Sequence, residues 1–269
     1  MNGIVYNPEG SALRRDQMEL LRMLKVVARI CEQNNIQWWL SSGTLLGAAR
    51  HKGFIPWDDD MDIVLLKKDY KRLERILCKL ESDEFVFHCM KTDVDYVNWF
   101  GKFRKRDGHI QSQSRRYAYY KWAGIGFDIF SIEKTNFLSA KIASSIYSRM
   151  QSITIGIGNP IIRKPVIRMI EFTCFFLFFP LLRLVGQINP HQEYHYSLGT
   201  GWPLHTFFMK DTFPLTYAEF EGDWLPVPKD MDLYLTHVYG DWRKLPSAEE
   251  IKNSIHCWEY KAEIFGDES

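Results

Sequence analysis

The sequence predicts an α+β protein: a small mixed sheet flanked by helices, with an apolar helical insertion and a C-terminal extension. Three observations predict it. Apolar residues recur at helical spacing in two segments of the first half, residues 11–34 and 69–80. Short segments with period-two patterning accompany them, and two of these carry carboxylates. From residue 139 to 189 the composition turns apolar and Phe-rich, with Glu171 its single acid.

In chain order, residues 11–34 read as a helix because Leu20, Leu21, Leu24, Val27, Ala28 and Cys31 share one face. Residues 36–40, Ile-Gln-Trp-Trp-Leu, read as a short strand. Ser41-Ser42-Gly43-Thr44 follows as a turn, then a short apolar helix through Leu45, Leu46, Ala48 and Ala49. Strand, small-residue turn and helix in succession offer free backbone N–H groups to a phosphate. Ser and Thr also cap helices for purely structural reasons.

The acidic segment Asp58-Asp59-Asp60-Met61-Asp62 comes next, four carboxylates in five positions. It is predicted to be the start of a strand running through Ile63, Val64, Leu65 and Leu66. Asp58, Asp60 and Asp62 then point one way while Met61 and Ile63 point the other. Like charges stacked on one face repel unless a cation neutralises them. Mg²⁺ is commonly held by one or two carboxylates together with substrate phosphates. The alternative is a solvated acidic turn or a loose Ca²⁺ loop, and the apolar run that follows argues against it. The EF-hand pattern fails, with no Gly at its sixth position and no Glu at its twelfth.

Residues 69–80 read as a second helix with Tyr70, Leu73, Leu77 and Leu80 inward, and residues 85–90 as a strand. Residues 99–110 read as a β-hairpin turning at Asp107-Gly108, with Lys102 and Arg104 on one face. Arg115, Arg116 and Lys121 extend this into the densest basic stretch of the chain. It could meet a diphosphate, or be a solvated face. In residues 124–130, Ile125, Phe127 and Ile129 alternate onto one face, and Asp128 lies opposite with Gly124 and Gly126. Glycines beside a strand carboxylate leave room for a ligand; an edge strand with one exposed Asp is the alternative.

In the insertion, residues 172–182 carry no charge, which is shorter than the roughly 20 residues needed to cross a bilayer. Arg163, Lys164 and Arg168 precede this stretch and Arg183 follows it. Core packing and an interfacial helix on an anionic membrane both fit, and a true span fits less well. In the tail, residues 220–228 are rich in Trp and Pro. A short helix over 232–238 then ends at Tyr239-Gly240-Asp241-Trp242. Aromatics with one acid can floor an acceptor or quaternary-ammonium site, and more often pack cores.

The chain has 269 residues, enough for one domain with appendages or two small ones. The expected division is a core over 11–135, the insertion over 136–190 and a C-terminal extension over 191–269. A formal net charge of +1 gives no general bias toward polyanions, so no nucleic-acid partner is expected. Five scattered cysteines without a C-x-x-C pair predict free thiols in a reducing compartment. Residues 1–10 lack the basic and apolar regions of a signal peptide, so a cytoplasmic location is expected.

The constellation resembles the LicD/fukutin family, a branch of the polymerase-β-like nucleotidyltransferase fold. The resemblance is carried by Ser42-Gly43-Thr44-Leu45-Leu46-Gly47, residues 51–63, Phe127-Asp128-Ile129-Phe130 and Tyr239-Gly240-Asp241-Trp242. It implies a nucleotidyltransferase-like core with Asp60, Asp62 and Asp128 as metal ligands and catalytic residues, binding Mg²⁺ or Mn²⁺. Ser42, Gly43, Thr44, Arg50, Asp58, Lys102, Arg104 and Asp241 are grouped on the substrate side. The implied activity is transfer of a phospho-alcohol, such as phosphocholine or ribitol phosphate, from a CDP-linked donor to a glycan. The acceptor is expected on a cell-surface polymer or its lipid-linked precursor, with peripheral contact at the inner face of the plasma membrane. Two other classes are weighed against it. An Asp-x-Asp glycosyltransferase would use a nucleotide sugar without needing Ser42-Gly43 or Asp128. An inactive glycan- or membrane-binding scaffold would be expected to lack a metal ligand.

Overall fold

The computed structural model describes residues 6–108, 115–200 and 205–266. Helix α1 (Ala12–Gln33) is capped by Ser11, whose hydroxyl accepts the Arg14 N–H at 3.1 Å. Its apolar stripe, Leu20, Leu21, Leu24, Val27 and Cys31, enters the main core. There follow β1 (Trp39–Leu40), α2 (Ser42–His51), β2 (Asp62–Leu66), α3 (Lys67–Leu77), β3 (Phe85–His88), β4 (Gly101–Lys105) and β5 (Gly126–Lys134). The insertion comprises α4 (Phe137–Gly156), α5 (Pro160–Thr173) and α6 (Phe179–Gly186). Strands β6 (Glu193–Tyr196) and β7 (Phe207–Phe208) return the chain to the sheet. Helix α7 (Met209–Thr212), a hairpin of β8 (Thr216–Phe220) and β9 (Asp223–Val227), and helices α8 (Met231–Tyr239), α9 (Ala248–Ser254) and α10 (Trp258–Phe265) complete the fold.

The sheet runs β1-β2-β5-β4-β3, and β6 extends from the far end of β5 to β7. Strands β2 and β5 are parallel; every other pair is antiparallel. This is the small mixed sheet that the sequence predicts. Trp39, Leu40, Ile63, Val64, Leu65, Phe103, Phe127 and Ile129 are fully buried around it. Each such aliphatic or Phe side chain contributes roughly 1.5–3 kcal/mol through burial, so the strands are pinned at the register that places the site. The cysteines are free, as expected, and the thiols of Cys78 and Cys89 approach to 3.7 Å.

Three expectations are corrected. The acidic strand begins at Asp62, not Asp58. The Asp58 N–H donates to Ile55 O at 2.9 Å, closing a turn, and Asp60 Oδ1 accepts the Met61 N–H. Asp58 to Asp60 are therefore placed by a turn and not by strand alternation. No hairpin turns at Asp107-Gly108: β3 and β5 already occupy both edges of β4, so a second arm has no ladder to join. His109 and Ile110 lie outside the described residues. In the insertion, α5, a π-turn over Cys174–Phe178 and α6 form one continuous helical run, Pro160–Gly186. At 27 residues, with a mean hydropathy of 1.8 in its most apolar window, it is long and apolar enough to cross a membrane. Counting only charge-free residues understates it, because Arg168 and Glu171 pair with each other at 2.7 Å inside the helix.

Candidate functional site

The site forms where α2, the acidic loop, β2, β4 and β5 meet. Parallel pairing sets Asp62 opposite Asp128, and antiparallel pairing sets Lys102 opposite Asp128 from the other side. Asp60, the last loop carboxylate before the strand, joins them. One oxygen from each of Asp60, Asp62 and Asp128 lies within 4.8 Å of the other two. Three convergent hard oxygen donors form a set able to hold a divalent metal ion. Lys102 Nζ stands 2.9 Å from Asp128 Oδ1 and 3.8 Å from Asp60 Oδ1, so a fixed ammonium already offsets part of the charge.

The electrostatics are those of crowded acids, Asp128 buried and Asp58, Asp60 and Asp62 half-buried. Burial, then the charges of Asp60, Asp128 and Asp58, hold the Asp62 carboxyl well above the usual range. Burial pushes Asp128 up to about 6, against the pull of Lys102. Asp58 is pushed to about 8 by burial and by Asp60 and Asp59. The same acids, chiefly Asp128, keep Lys102 above its ordinary value despite its burial. A cluster that resists ionisation to this degree is the setting a cation would relieve.

Helix α2 carries the glycine turn to the acids. Ser41 makes no side-chain cap bond to the helix; its hydroxyl instead shares a hydrogen bond with the Tyr234 hydroxyl at 3.0 Å. Ser42 adopts a left-handed conformation at φ +49°, uncommon for a non-glycine residue, and its hydroxyl meets that of Tyr196 at 3.2 Å. The Thr44 hydroxyl is buried and accepts the Asp62 N–H at 2.7 Å, tying the turn to the acidic strand. A Cβ on Gly43 would stand 2.7 Å from Asp58 Oδ2, so glycine lets this carboxylate lie against the first turn of the helix.

The remaining substrate-side residues fall at different depths. Arg104 is buried, donates to Gly124 O at 2.6 Å and lies over the Tyr117 ring, bracing the chain that leads into β5. Arg50 donates to Lys244 O at 2.9 Å, holding the exposed loop of Asp241 beside the end of α2. Among the described side chains of the basic stretch, Lys105 pairs with Glu19, Arg106 donates to Ser82 O and Lys102 reaches the acid cluster; those of Arg115 and Arg116 lie outside the described ones.

Sequence reasoning missed the clamp on Asp59 and the tyrosines behind the turn. Asp59 accepts the backbone N–H groups of His256 and Cys257, both at 2.9 Å, and lies 3.1 Å from His256 Nδ1. Tyr196 comes from β6 and Tyr234 from α8, far along the chain, and no local pattern marks either. A second glycine fixes the seat of α2: a Cβ on Gly47 would meet Gly53 O at 2.4 Å and Ile55 N at 3.1 Å, both backbone atoms. Gly47→Ala is therefore expected to destabilise the protein by about 1–3 kcal/mol and to impair the site with it. A thermal melt indistinguishable from wild type would contradict this packing.

The sequence profile of the LicD/FKTN/FKRP nucleotidyltransferase domain matches residues 35–154, which include all three clustered aspartates. The lipopolysaccharide cholinephosphotransferase LicD of Haemophilus influenzae is 27% identical over 257 residues, covering 89% of this chain and 94% of the relative. An uncharacterised Rickettsia prowazekii protein is 44% identical over 85 residues, 29% of this chain and 32% of that protein. Human ribitol 5-phosphate transferase FKRP is 40% identical over 60 residues, 21% of this chain and 12% of that protein. The chain thus carries a domain of the LicD/FKTN/FKRP family over residues 35–154, spanning the acid cluster, and its similarity to the Haemophilus influenzae enzyme runs most of its length.

Proposed function

We propose that this LicD-type phosphotransferase moves a phospho-alcohol of the phosphocholine kind from a CDP-linked donor onto a glycan acceptor, at a site loaded with Mg²⁺ or Mn²⁺. The observation that carries the reading is the pairing of Asp62 with Asp128 across two parallel strands, with Asp60 completing a three-carboxylate cluster beside the turn of α2. The relatives' printed activities, cholinephosphate and ribitol 5-phosphate transfer, support the class of group moved.

In this reading the acceptor hydroxyl attacks the phosphorus bearing the alcohol, the bond between the two phosphates breaks, and CMP leaves. Asp60, Asp62 and Asp128 would hold the ion, which when bound would supply positive charge against that developing on the donor's phosphates. Asp128 either completes the ligand set or accepts the hydroxyl proton. Lys102 holds Asp128 in place and adds positive charge at the cluster. The first-turn N–H groups of α2 face anionic oxygens. Residues 11–135 are assigned the chemistry, 136–190 membrane contact and 191–269 the acceptor side, with the whole on the cytoplasmic face of a membrane.

Mass spectrometry of the protein incubated with CDP-alcohols or UDP-sugars, with Mg²⁺ or Mn²⁺, tests this reading. CMP release from a CDP-alcohol is expected. Turnover of a UDP-sugar alone would favour the Asp-x-Asp glycosyltransferase, and donor binding without turnover the scaffold.

The raised carboxyl pKa values give a metal and pH signature. An acid whose folded pKa lies above its unfolded value contributes its full stability below the unfolded value and loses it as pH rises through the folded one. For Asp128 the window runs from 3.8 to about 6, and for Asp58 from 3.8 to about 8. The metal-free protein should lose stability across that range, and the divalent ion should restore it. The melting-temperature gap between loaded and metal-free protein is thus expected to be small at about pH 5 and wide at about pH 8. An equal gap at both would count against ligation by these acids.

The insertion gives a third test. Phe176 is 68% exposed whereas Phe179 is fully buried, against Trp99 at 5.0 Å. Phe176→Ser is expected to weaken sedimentation with anionic vesicles and leave the melt unchanged. Phe179→Ser should lower stability by about 3–5 kcal/mol. Retained vesicle binding by the Phe176 variant would place the contact elsewhere.

A further inference from the structure

A groove of about 510 Å³ lies between α3, the chain around Trp99 and the helical run Pro160–Gly186. Its volume falls within the roughly 300–1,000 Å³ of ligand sites. It opens toward the end of β2 from which α3 leaves, whereas the aspartates stand at that strand's beginning. Neither the acid cluster nor the transfer chemistry uses it.

Its walls are apolar and aromatic: Trp99, Phe100, Phe172, Phe175, Phe176 and Leu198. The helical run makes one side through its π-turn. Pro180 has no N–H to offer the Phe176 carbonyl, and the turn ahead of it widens. Phe175 turns inward against Trp99 at 5.4 Å, while Phe176 stacks on Phe172 at 4.9 Å along the lip. Phe172 and Phe176 are 59% and 68% exposed, and the apolar surface continues outward along Leu177, Leu181 and Leu184. A hydrocarbon chain can therefore pass from that outer face into the groove without crossing a polar surface.

The polar part of the lining is cationic. Lys67, Lys71, Lys91, Arg168 and Arg183 line the groove, against the carboxylates Glu74 and Glu171. Lys67 and Arg183 converge on one carboxylate, Glu133, at 2.5 and 2.9 Å, so one positive charge there stays uncompensated. Glu171 lines the groove and is nine-tenths buried; its Oε2 accepts from Arg168 at 2.7 Å, and its Oε1 has no hydrogen-bond partner among the described residues. The protonated glycerol hydroxyl of a lipid headgroup supplies the kind of donor it lacks. Residues 137–190 hold six Lys and Arg against the single acid Glu171. An apolar slot with a cationic rim, continuous with an exposed apolar helix face, is complementary to an anionic amphiphile.

We propose that this groove takes one hydrocarbon chain of an anionic membrane phospholipid, whose phosphate sits between Arg168 and the Lys67–Arg183 pair. The proposal rests on the membrane reading of the insertion and deepens it: the protein holds an individual lipid besides resting on the surface. The lipid fixes the orientation of the insertion relative to the bilayer.

The probe is lysophosphatidylglycerol with a brominated chain, added below its micellar concentration to the full-length protein. Saturable one-to-one binding is expected, with quenching of tryptophan fluorescence that disappears in Trp99→Phe. Arg168→Gln and Lys71→Gln should each weaken binding about fivefold at low salt, and brominated lysophosphatidylcholine should bind more weakly than the anionic lipid. Vesicle binding without Trp99-dependent quenching would overturn the groove and leave surface contact alone. Equal affinity for the neutral lysolipid would overturn the assigned headgroup. Absence of binding to lysolipid and vesicles alike would overturn the groove together with the membrane reading. CMP release from a soluble CDP-alcohol, measured without lipid on the same preparation, reports separately on the transferase reading.

Discussion

Asp62→Asn is expected to lower transfer by roughly 10²–10³-fold or more while leaving the fold intact. Asp62 is held at the first position of β2, its N–H fixed by Thr44 and its pairing with Asp128 set by the strand register. The amide keeps these backbone bonds and the side-chain shape. What it removes is one carboxylate of the cluster proposed to hold the ion. It also removes one of several buried like charges, since Asp60, Asp128 and Asp58 all act to raise the Asp62 pKa. The metal-free variant should therefore melt no lower than wild type, and higher as pH rises, because the repulsion it relieves grows as the acids ionise. The added stability gained from a divalent ion should shrink at the same time. Transfer within tenfold of wild type would remove Asp62 from the site. A lower melting temperature would show that its carboxylate holds the fold together.

Lys102→Met is expected to have the opposite sign on stability. The pair it forms with Asp128 is nearly buried, with 12% and 10% of the two side chains exposed. Removing one partner of a buried pair leaves an uncompensated charge and costs about 3–5 kcal/mol. Lys102 opposes the upward shift of the Asp128 pKa, so without it that pKa rises further. The destabilisation should then be largest at alkaline pH and relax as acid protonates Asp128. A divalent ion should recover much of the loss, because it supplies the charge the ammonium provided. A chemical-denaturation series across pH, with and without the ion, measures all of this. A loss that neither acid nor metal relieves would mean that Lys102 acts through packing of its stem.

The acids are legible in the sequence because their signal is local. Four carboxylates in five positions before Ile63 and Val64, and one carboxylate just after two glycines, each break the usual logic of a strand within a few residues. The helical spacing of α1 and α3 is legible for the same reason. The partner of each acid is not. Parallel pairing of β2 with β5 joins residues more than sixty positions apart, and only the folded core decides that register. The start of β2 is misread because alternation was extended back into a turn that Ile55 O and Asp60 Oδ1 close by hydrogen bonds. Tyr196 and Tyr234 read as ordinary core aromatics, and only their hydroxyl bonds to Ser42 and Ser41 set them apart. The insertion is legible in composition, but which of its phenylalanines face outward depends on a helical run that continues through Arg168 and Glu171.

The grip of His256 and Cys257 on Asp59 has a consequence for how the enzyme comes into being. Nearly two hundred residues separate the acidic loop from the backbone groups that pin it. Synthesis proceeds from the N-terminus, so all three aspartates of the cluster leave the ribosome long before residue 256 does. The nascent chain carries all three carboxylates while its loop is still unfastened. Helix α10, whose Glu263 accepts the Ala12 N–H, must then dock against the first helix, a long-range contact made only after residue 263 is available. The set of the acidic loop is thereby tied to a segment made much later: a fragment ending after β5 would possess the acids and lack the backbone groups that pin Asp59.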